Sequence, residues 1–196
     1  MCIRDRADGD PVGLMLDKSG NGADLSQSVA SARPLYPGLK WDGTDDYLGA
    51  SWTSRTSAMD MIAAVKIDSG APEFIIFIGF KTTSESYLVV GQSGSTSTVV
   101  SSNGDGTSTG TVYIDGVELV APTRGSVYAA LADGQKHIVE VRGVNVSDDT
   151  RWGNLRIGNY RNQIVLKGSF GPTILRGTLT ESERQAVYAY LDGVTL

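Results

Sequence analysis

The sequence predicts an all-β fold: an antiparallel two-sheet β-sandwich of jelly-roll type with a short C-terminal helix. Three observations support this. Asp-Gly pairs stand between β-prone runs at 42–43 and 115–116, and glycine there supplies the positive φ of a tight hairpin turn. Turn signals recur about every 8–12 residues, the spacing of a sandwich. Strands do not alternate with long helical patterns, which argues against a parallel sheet.

Taken in order, Val12 to Leu16 reads as a first strand, ended by the turn cluster Asp17-Lys-Ser-Gly-Asn-Gly22. Residues 26–38 are polar, carry Pro34 and Pro37, and read as an extended surface crossing. Leu39 to Trp52 reads as a hairpin about Asp42-Gly43-Thr44-Asp45. Met59, Met61, Ala63, Val65 and Ile67 share one face of a strand, with Asp60 and Lys66 on the other. Glu73 to Phe80, through Phe74, Ile75, Ile76, Phe77 and Ile78, is apolar on both faces and reads as a central strand, followed by one at 87–91. Within the Ser/Thr/Gly tract of 92–111, Val99 and Val100 suggest another strand.

The segment 111–120 is a second Asp-Gly hairpin. Ser126 to Leu131 and His137 to Val141 read as strands either side of Asp133-Gly134, and 154–160 with 163–169 as a further pair. The one expected helix starts at Thr180, with Glu183 completing a capping box. Val187, Tyr190 and Leu191 would then pack on a sheet, with Gly193 just past the end. Alternation puts Trp41 and Tyr113 in the core.

Composition narrows the function classes. A chain of 196 residues with 40% hydrophobic and 20% charged residues can bury a genuine core as one domain. Its 24 glycines suit many short strands. A net charge of −5 argues against nucleic acid, whose phosphates need a basic surface. No apolar run reaches the ~20 residues of a membrane helix, so membrane insertion is not expected. Cys2 alone excludes an internal disulfide framework. Residues 1–6 fit neither a signal peptide nor the strand pattern and are expected to be foreign to a domain at 7–196.

Three segments in order resemble the concanavalin A-like lectin/glucanase superfamily, in its laminin-G-like branch found in phage tail and bacterial surface proteins. They are Asp17 to Gly22 with Arg33-Pro34, Trp41-Asp-Gly-Thr-Asp-Asp-Tyr-Leu48, and 179–191. The hairpin Val112-Tyr-Ile-Asp-Gly-Val-Glu-Leu119 and the strand Asn154-Leu-Arg-Ile-Gly158 add to the likeness. At the front only Asp8-Gly9-Asp10-Pro11 remains of a strand those relatives carry, which suggests an N-terminal truncation and an unpaired edge. The resemblance implies a non-catalytic module that recognises a glycan or host-surface receptor. Its expected location is the virion or the cell exterior, within a larger protein. A purely structural module that self-associates in a fibre is the alternative, and a divergent glycosidase the second.

The glycosidases of that superfamily align two carboxylates on one strand face, flanking the scissile bond. No such run occurs here: Glu73, Glu85, Glu118 and Glu140 are each isolated in sequence. The chain is therefore not expected to be an enzyme. His137, alternating with Val139 and Val141, reads as a half-buried strand-end histidine. Sugar binding uses aromatic faces with polar neighbours that read hydroxyls. The candidates are Trp152, Arg151, Asn154, Asp149, Tyr160, Tyr87 and Trp52, centred on the 148–154 loop. For Trp152 a place on the sandwich rim is the other reading. Asp17, Ser19 and Asn21 copy the first half of an EF-hand loop and, with Asp24 or the Asp42–Asp46 turn, could hold Ca²⁺. Without the closing Glu, Asx-turns that cap their own backbone are the preferred explanation. No cofactor is required.

Overall fold

The computed structural model describes residues 7–18, 24–42, 44–51, 58–71, 74–76, 78–80, 86–87, 90–103, 110–145, 154–157, 159–160, 163–164 and 167–196. Its strands are β1 (Leu14–Met15), β2 (Leu25–Ser26), β3 (Lys40–Asp42), β4 (Leu48–Ser51), β5 (Met59–Ile67), β6 (Phe74–Ile76), β7 (Ile78–Phe80), β8 (Ser86–Tyr87) and β9 (Val90–Gln92). They continue as β10 (Ser102–Asn103), β11 (Thr111–Ile114), β12 (Val117–Glu118), β13 (Lys136–Val144), β14 (Asn154–Ile157), β15 (Asn159–Tyr160), β16 (Gln163–Ile164) and β17 (Lys167–Arg176). Among the described residues two α-helices, α1 (Arg124–Leu131) and α2 (Glu181–Asp192), accompany them.

One sheet runs β12-β11-β13-β5-β17-β3 and the other β1-β2-β4-β14-β7-β8-β10, all by antiparallel pairing; β15-β16 and β6-β9 form small ladders. Side chains from both large sheets meet in one core, as Leu48 of β4 does with Met61 and Val65 of β5. The arrangement is compatible with a β-sandwich.

The expected alternation of β5 holds, but its second face is not solvated. Met59, Met61, Ala63, Val65 and Ile67 enter the inter-sheet core. Ile62 and Ala64 pack with Ile138, Leu179 and Leu191 beneath α2. A helix laid on the outside of the sheet thus makes a third layer. Helix α2 starts at its predicted capping box, with Glu183 N–H donating to Thr180 Oγ1 (3.3 Å) and Thr180 N–H to Glu183 Oε2 (2.9 Å). Its inward stripe runs through Arg184, Val187, Tyr188 and Leu191, so Val187 and Leu191 pack as expected whereas Tyr190 is exposed. Gly193 stands just past the helix end, as expected, and caps it with right-handed backbone (φ −75°).

The 111–120 hairpin is as expected. Ile114 pairs with Val117, and Asp115 and Gly116 both take positive φ (52° and 80°), the geometry of a two-residue type I′ turn. Tyr113, however, lies outside the core, stacked under the Arg142 guanidinium at 3.7 Å, because Val112 and Ile114 take the inward positions.

Several other expectations fail. Leu39 to Trp52 is not a hairpin: β3 joins β17 in one sheet and β4 joins β14 in the other. The Asp42–Asp46 turn therefore crosses between layers. An Asp-Gly cue sets a local reversal, not the pairing of its arms. Trp41 is buried as expected, edge-on to Phe170 at 5.8 Å. The run from Glu73 to Phe80 does not make one central strand, since β6 pairs with β9 while β7 pairs with β14 and β8. Val99 and Val100 are not in a strand; the pairing falls on β10, and Val100 fills the core from irregular chain. Ser126 to Leu131 lies in α1, started by a Thr123–Ser126 capping box, with Val127 and Leu131 buried at i, i+4. Residues 163–169 are not one strand: β16 closes a short hairpin with β15, and β17 begins a separate ten-residue strand. That strand runs on past Ser169, through a register shift that accommodates Pro172, which has no N–H for the ladder.

Candidate functional site

Backbone register brings a set of polar positions together on the outer side of the seven-stranded sheet. Leu48 and Ala50 of β4 face the core, so Gly49 and Ser51 take the opposite face. Opposite them on β14 stand Arg156, paired with Gly49, and Asn154, paired with Ser51. On the next strand Arg156 pairs with Gly79, Gly79 pairs with Tyr87 of β8, and Tyr87 pairs with Ser102 of β10. One transverse row thus reads Ser26, Gly49, Arg156, Gly79, Tyr87, Ser102. Strands lie ~4.8 Å apart, so Arg156 and Tyr87 are roughly 10 Å apart across a glycine.

Two of the predicted sugar contacts, Tyr87 and Asn154, share this face. Tyr160 stands on the short β15–β16 hairpin, opposite Gln163. Trp52, Asp149, Arg151 and Trp152 lie outside the described residues, as do Ser19 and Asn21 of the calcium proposal. Of that loop, Asp17 N–H donates to Asp24 Oδ1 at 2.7 Å. Arg156 was missed by the sequence reading, although its alternation with Leu155 and Ile157 already places it with Asn154.

The acidic turn gathers Asp42, Asp45 and Asp46, with one carboxylate oxygen of each within 4.8 Å of the others. Asp42 Oδ1 accepts from Thr44 N–H (2.6 Å), and Asp46 Oδ2 from Asp42 N–H (3.1 Å). Burial pushes the Asp46 carboxyl up to about 6; the bond from Asp42 N–H opposes this, and the charges of Asp42 and Asp45 add to it. Three carboxylates so close suit a cation in principle.

Glu140 and Asp60, isolated in sequence, meet under α2. Glu140 Oε1 accepts from Arg142 Nε (2.9 Å) and from Arg184 Nη1; its Oε2 accepts from Arg142 Nη2 (2.9 Å) and Tyr188 Oη (3.0 Å). Asp60 Oδ1 accepts from Gly143 N–H (2.9 Å), at the register shift of β13, and Oδ2 from Leu179 N–H (3.0 Å) and Arg184 Nη2 (3.3 Å). Burial holds the Tyr188 hydroxyl above its ordinary pKa. Glu140 is 0% exposed and Asp60 1%. Carboxylates so enclosed have no face for a substrate; they bolt the helix to the sheet.

His137 lies half-buried at the start of β13, as read from sequence. Its Nδ1 is 2.7 Å from Asp115 Oδ2 and its Nε2 3.1 Å from Asp133 Oδ1. Burial alone would lower its pKa, but the bonds to Asp115 and Asp133 and their charges outweigh it and hold the imidazole above its ordinary value. Both ring nitrogens are engaged, and among the described residues no serine hydroxyl bonds to them. No described helix is long and apolar enough to cross a membrane.

Comparison with protein-family models, with curated proteins and with solved structures returns no match.

Proposed function

We propose that the chain is a non-catalytic recognition module that reads a glycan or surface receptor. On this reading it is a concanavalin A-like jelly roll of the laminin-G-like kind, carried on a virion or cell surface within a larger protein. The observation that carries the reading is the transverse row Gly49–Arg156–Gly79–Tyr87, with Asn154 on the same face. Glycine on both sides of Arg156 leaves open backbone where a flat ligand can settle. A tyrosine ring supplies a face for sugar CH groups, and a guanidinium supplies a planar fork of donors for hydroxyl or carboxylate oxygens.

A structural role in a fibre is the second reading. It is favoured by β1, an edge strand with exposed Leu14 in it and exposed Leu16 just past its end, where another chain could pair.

A glycan array probed with the protein, once in Ca²⁺ and once in EDTA, tests the first reading. Binding that falls in Arg156→Ala and Tyr87→Ala, with the urea midpoint unchanged, supports it. Loss of binding in EDTA would add a cation, with the Asp42–Asp46 turn as its first candidate. Silence in both buffers from folded protein, with self-association in sedimentation, moves the assignment to the fibre reading.

A further inference from the structure

On the outer side of the six-stranded sheet, register lines up three lysines. Lys40 pairs with Ser169, Ser169 with Lys66, and Lys66 with Lys136, across β3, β17, β5 and β13. The three differ in occupation. Lys136 Nζ donates to the carbonyls of Leu191, Asp192 and Val194 (3.3, 2.5 and 3.0 Å), closing the C-terminal end of α2. Lys40 and Lys66 make no ion pair or side-chain hydrogen bond among the described residues. They instead line a cavity of about 290 Å³ with Asp68, Gly168, Ser169 and Leu196. Ser169 is only 6% exposed, yet its hydroxyl likewise has no side-chain hydrogen bond among the described residues.

We propose that this cavity is a binding site for a small oxyanion, held between the Lys40 and Lys66 ammonium groups with the Ser169 hydroxyl donating to it. One strand, β17, separates the lysines, roughly 10 Å between Cα atoms, and their flexible stems let both heads reach one group bound over Ser169. Placing two unpaired ammonium groups at one mouth is unfavourable on the sheet alone, and an anion reverses that term. In a chain of net charge −5 this is a local field of the opposite sign, the kind that draws in an anion. Asp68 on the lining offsets part of the lysines' charge, which favours a monoanion such as a carboxylate over a dianion. Asp68 would also accept a hydroxyl, so a sugar acid should bind better than a bare carboxylate.

The test is an amide NMR titration at constant ionic strength, replacing chloride in turn by acetate, D-glucuronate and inorganic phosphate. Saturable shifts of the Gly168 and Ser169 amides are expected, tightest for glucuronate. Lys40→Met should weaken binding roughly tenfold, Lys66→Met by a similar factor, and both together should abolish it. Lys18→Met, away from the cavity lining, should leave it unchanged. Lys40 is exposed, so Lys40→Met remains a fair test even if the Lys66 variant does not fold. Shifts that stay linear with concentration, or that survive Lys40→Met undiminished, would overturn the proposal. Saturable binding tightest for phosphate would overturn the preference for a carboxylate and keep the oxyanion site.

Discussion

Replacing Arg184 with methionine removes one of the two guanidinium groups that neutralise a buried pair of carboxylates. With Arg142 and Arg184 present, the formal charges of Asp60, Glu140 and the two arginines cancel. Without Arg184 the cluster carries one uncompensated negative charge where the carboxylate side chains are 2% and 0% exposed. The methionine keeps the apolar stem but loses three donations, to Glu140, Asp60 and the Leu179 carbonyl (3.1 Å for the last). Breaking a buried pair on one side costs about 3–5 kcal/mol, much of it the penalty of the charge left behind. For a domain of this size that lowers Tm by roughly 6–20 °C. Urea unfolding followed by fluorescence and circular dichroism measures it, as a shift in midpoint at unchanged slope. Arg176→Met removes the exposed 2.6 Å pair with Glu183 and should leave the midpoint where it is. Adding Glu140→Gln to Arg184→Met should cost less than the two single losses combined, because neither charge is then stranded. A loss below about 1 kcal/mol for Arg184→Met would mean that the cluster is solvated, and would refute the view that it fastens α2 to the sheet.

Two predictions concern pH. The Asp46 carboxyl is raised to about 6, so the folded state binds its proton more tightly than the unfolded chain does. That stability is fully present below the ordinary value of 3.8 and is lost as pH rises to about 6. At 1.36 kcal/mol per pH unit the upper bound is about 3 kcal/mol. Asp46→Asn, able still to accept from Asp42 N–H, should be more stable than wild type at pH 7 by up to that amount, and the difference should shrink in urea titrations at pH 4. His137 has the same sign in a higher window: its contribution is complete below 6.5 and is lost as pH rises through its elevated folded value. Imidazole NMR titration should show that elevation, and Asp115→Asn should lower it; an unchanged pKa in that variant would rule out the Asp115 contact as a cause.

How much of this was readable beforehand follows from the range over which each interaction acts. The Asp115-Gly116 turn, the Thr180–Glu183 box and the two-residue period of β5 depend on neighbours a few positions apart, and each is where the residues placed it. The fate of the arms around Asp42–Asp46 depends on partners more than a hundred residues downstream, β17 and β14, and no local pattern encodes that choice. The same holds for 74–80, divided between two ladders. Segment 126–131 misled because Val127 and Leu131, four positions apart, suit either period, and the helix was settled by where the core lay.

Chemistry follows the same division. Tyr87 and Asn154 could be singled out by residue type, but their alignment with Arg156 and two glycines comes from the register of four strands. Glu140 and Asp60 looked solitary because 80 positions separate them, and antiparallel pairing of β5 with β13 under α2 joined them to Arg184. Lys40, Lys66 and Lys136 are ordinary surface lysines in the primary structure. Folding put them in one row, engaged one at the end of a helix, and left two facing a cavity. Short-range sterics and hydrogen bonding write turns, caps and strand periods into the chain. Which faces meet, and which charges are left without a partner, is decided when distant strands pair.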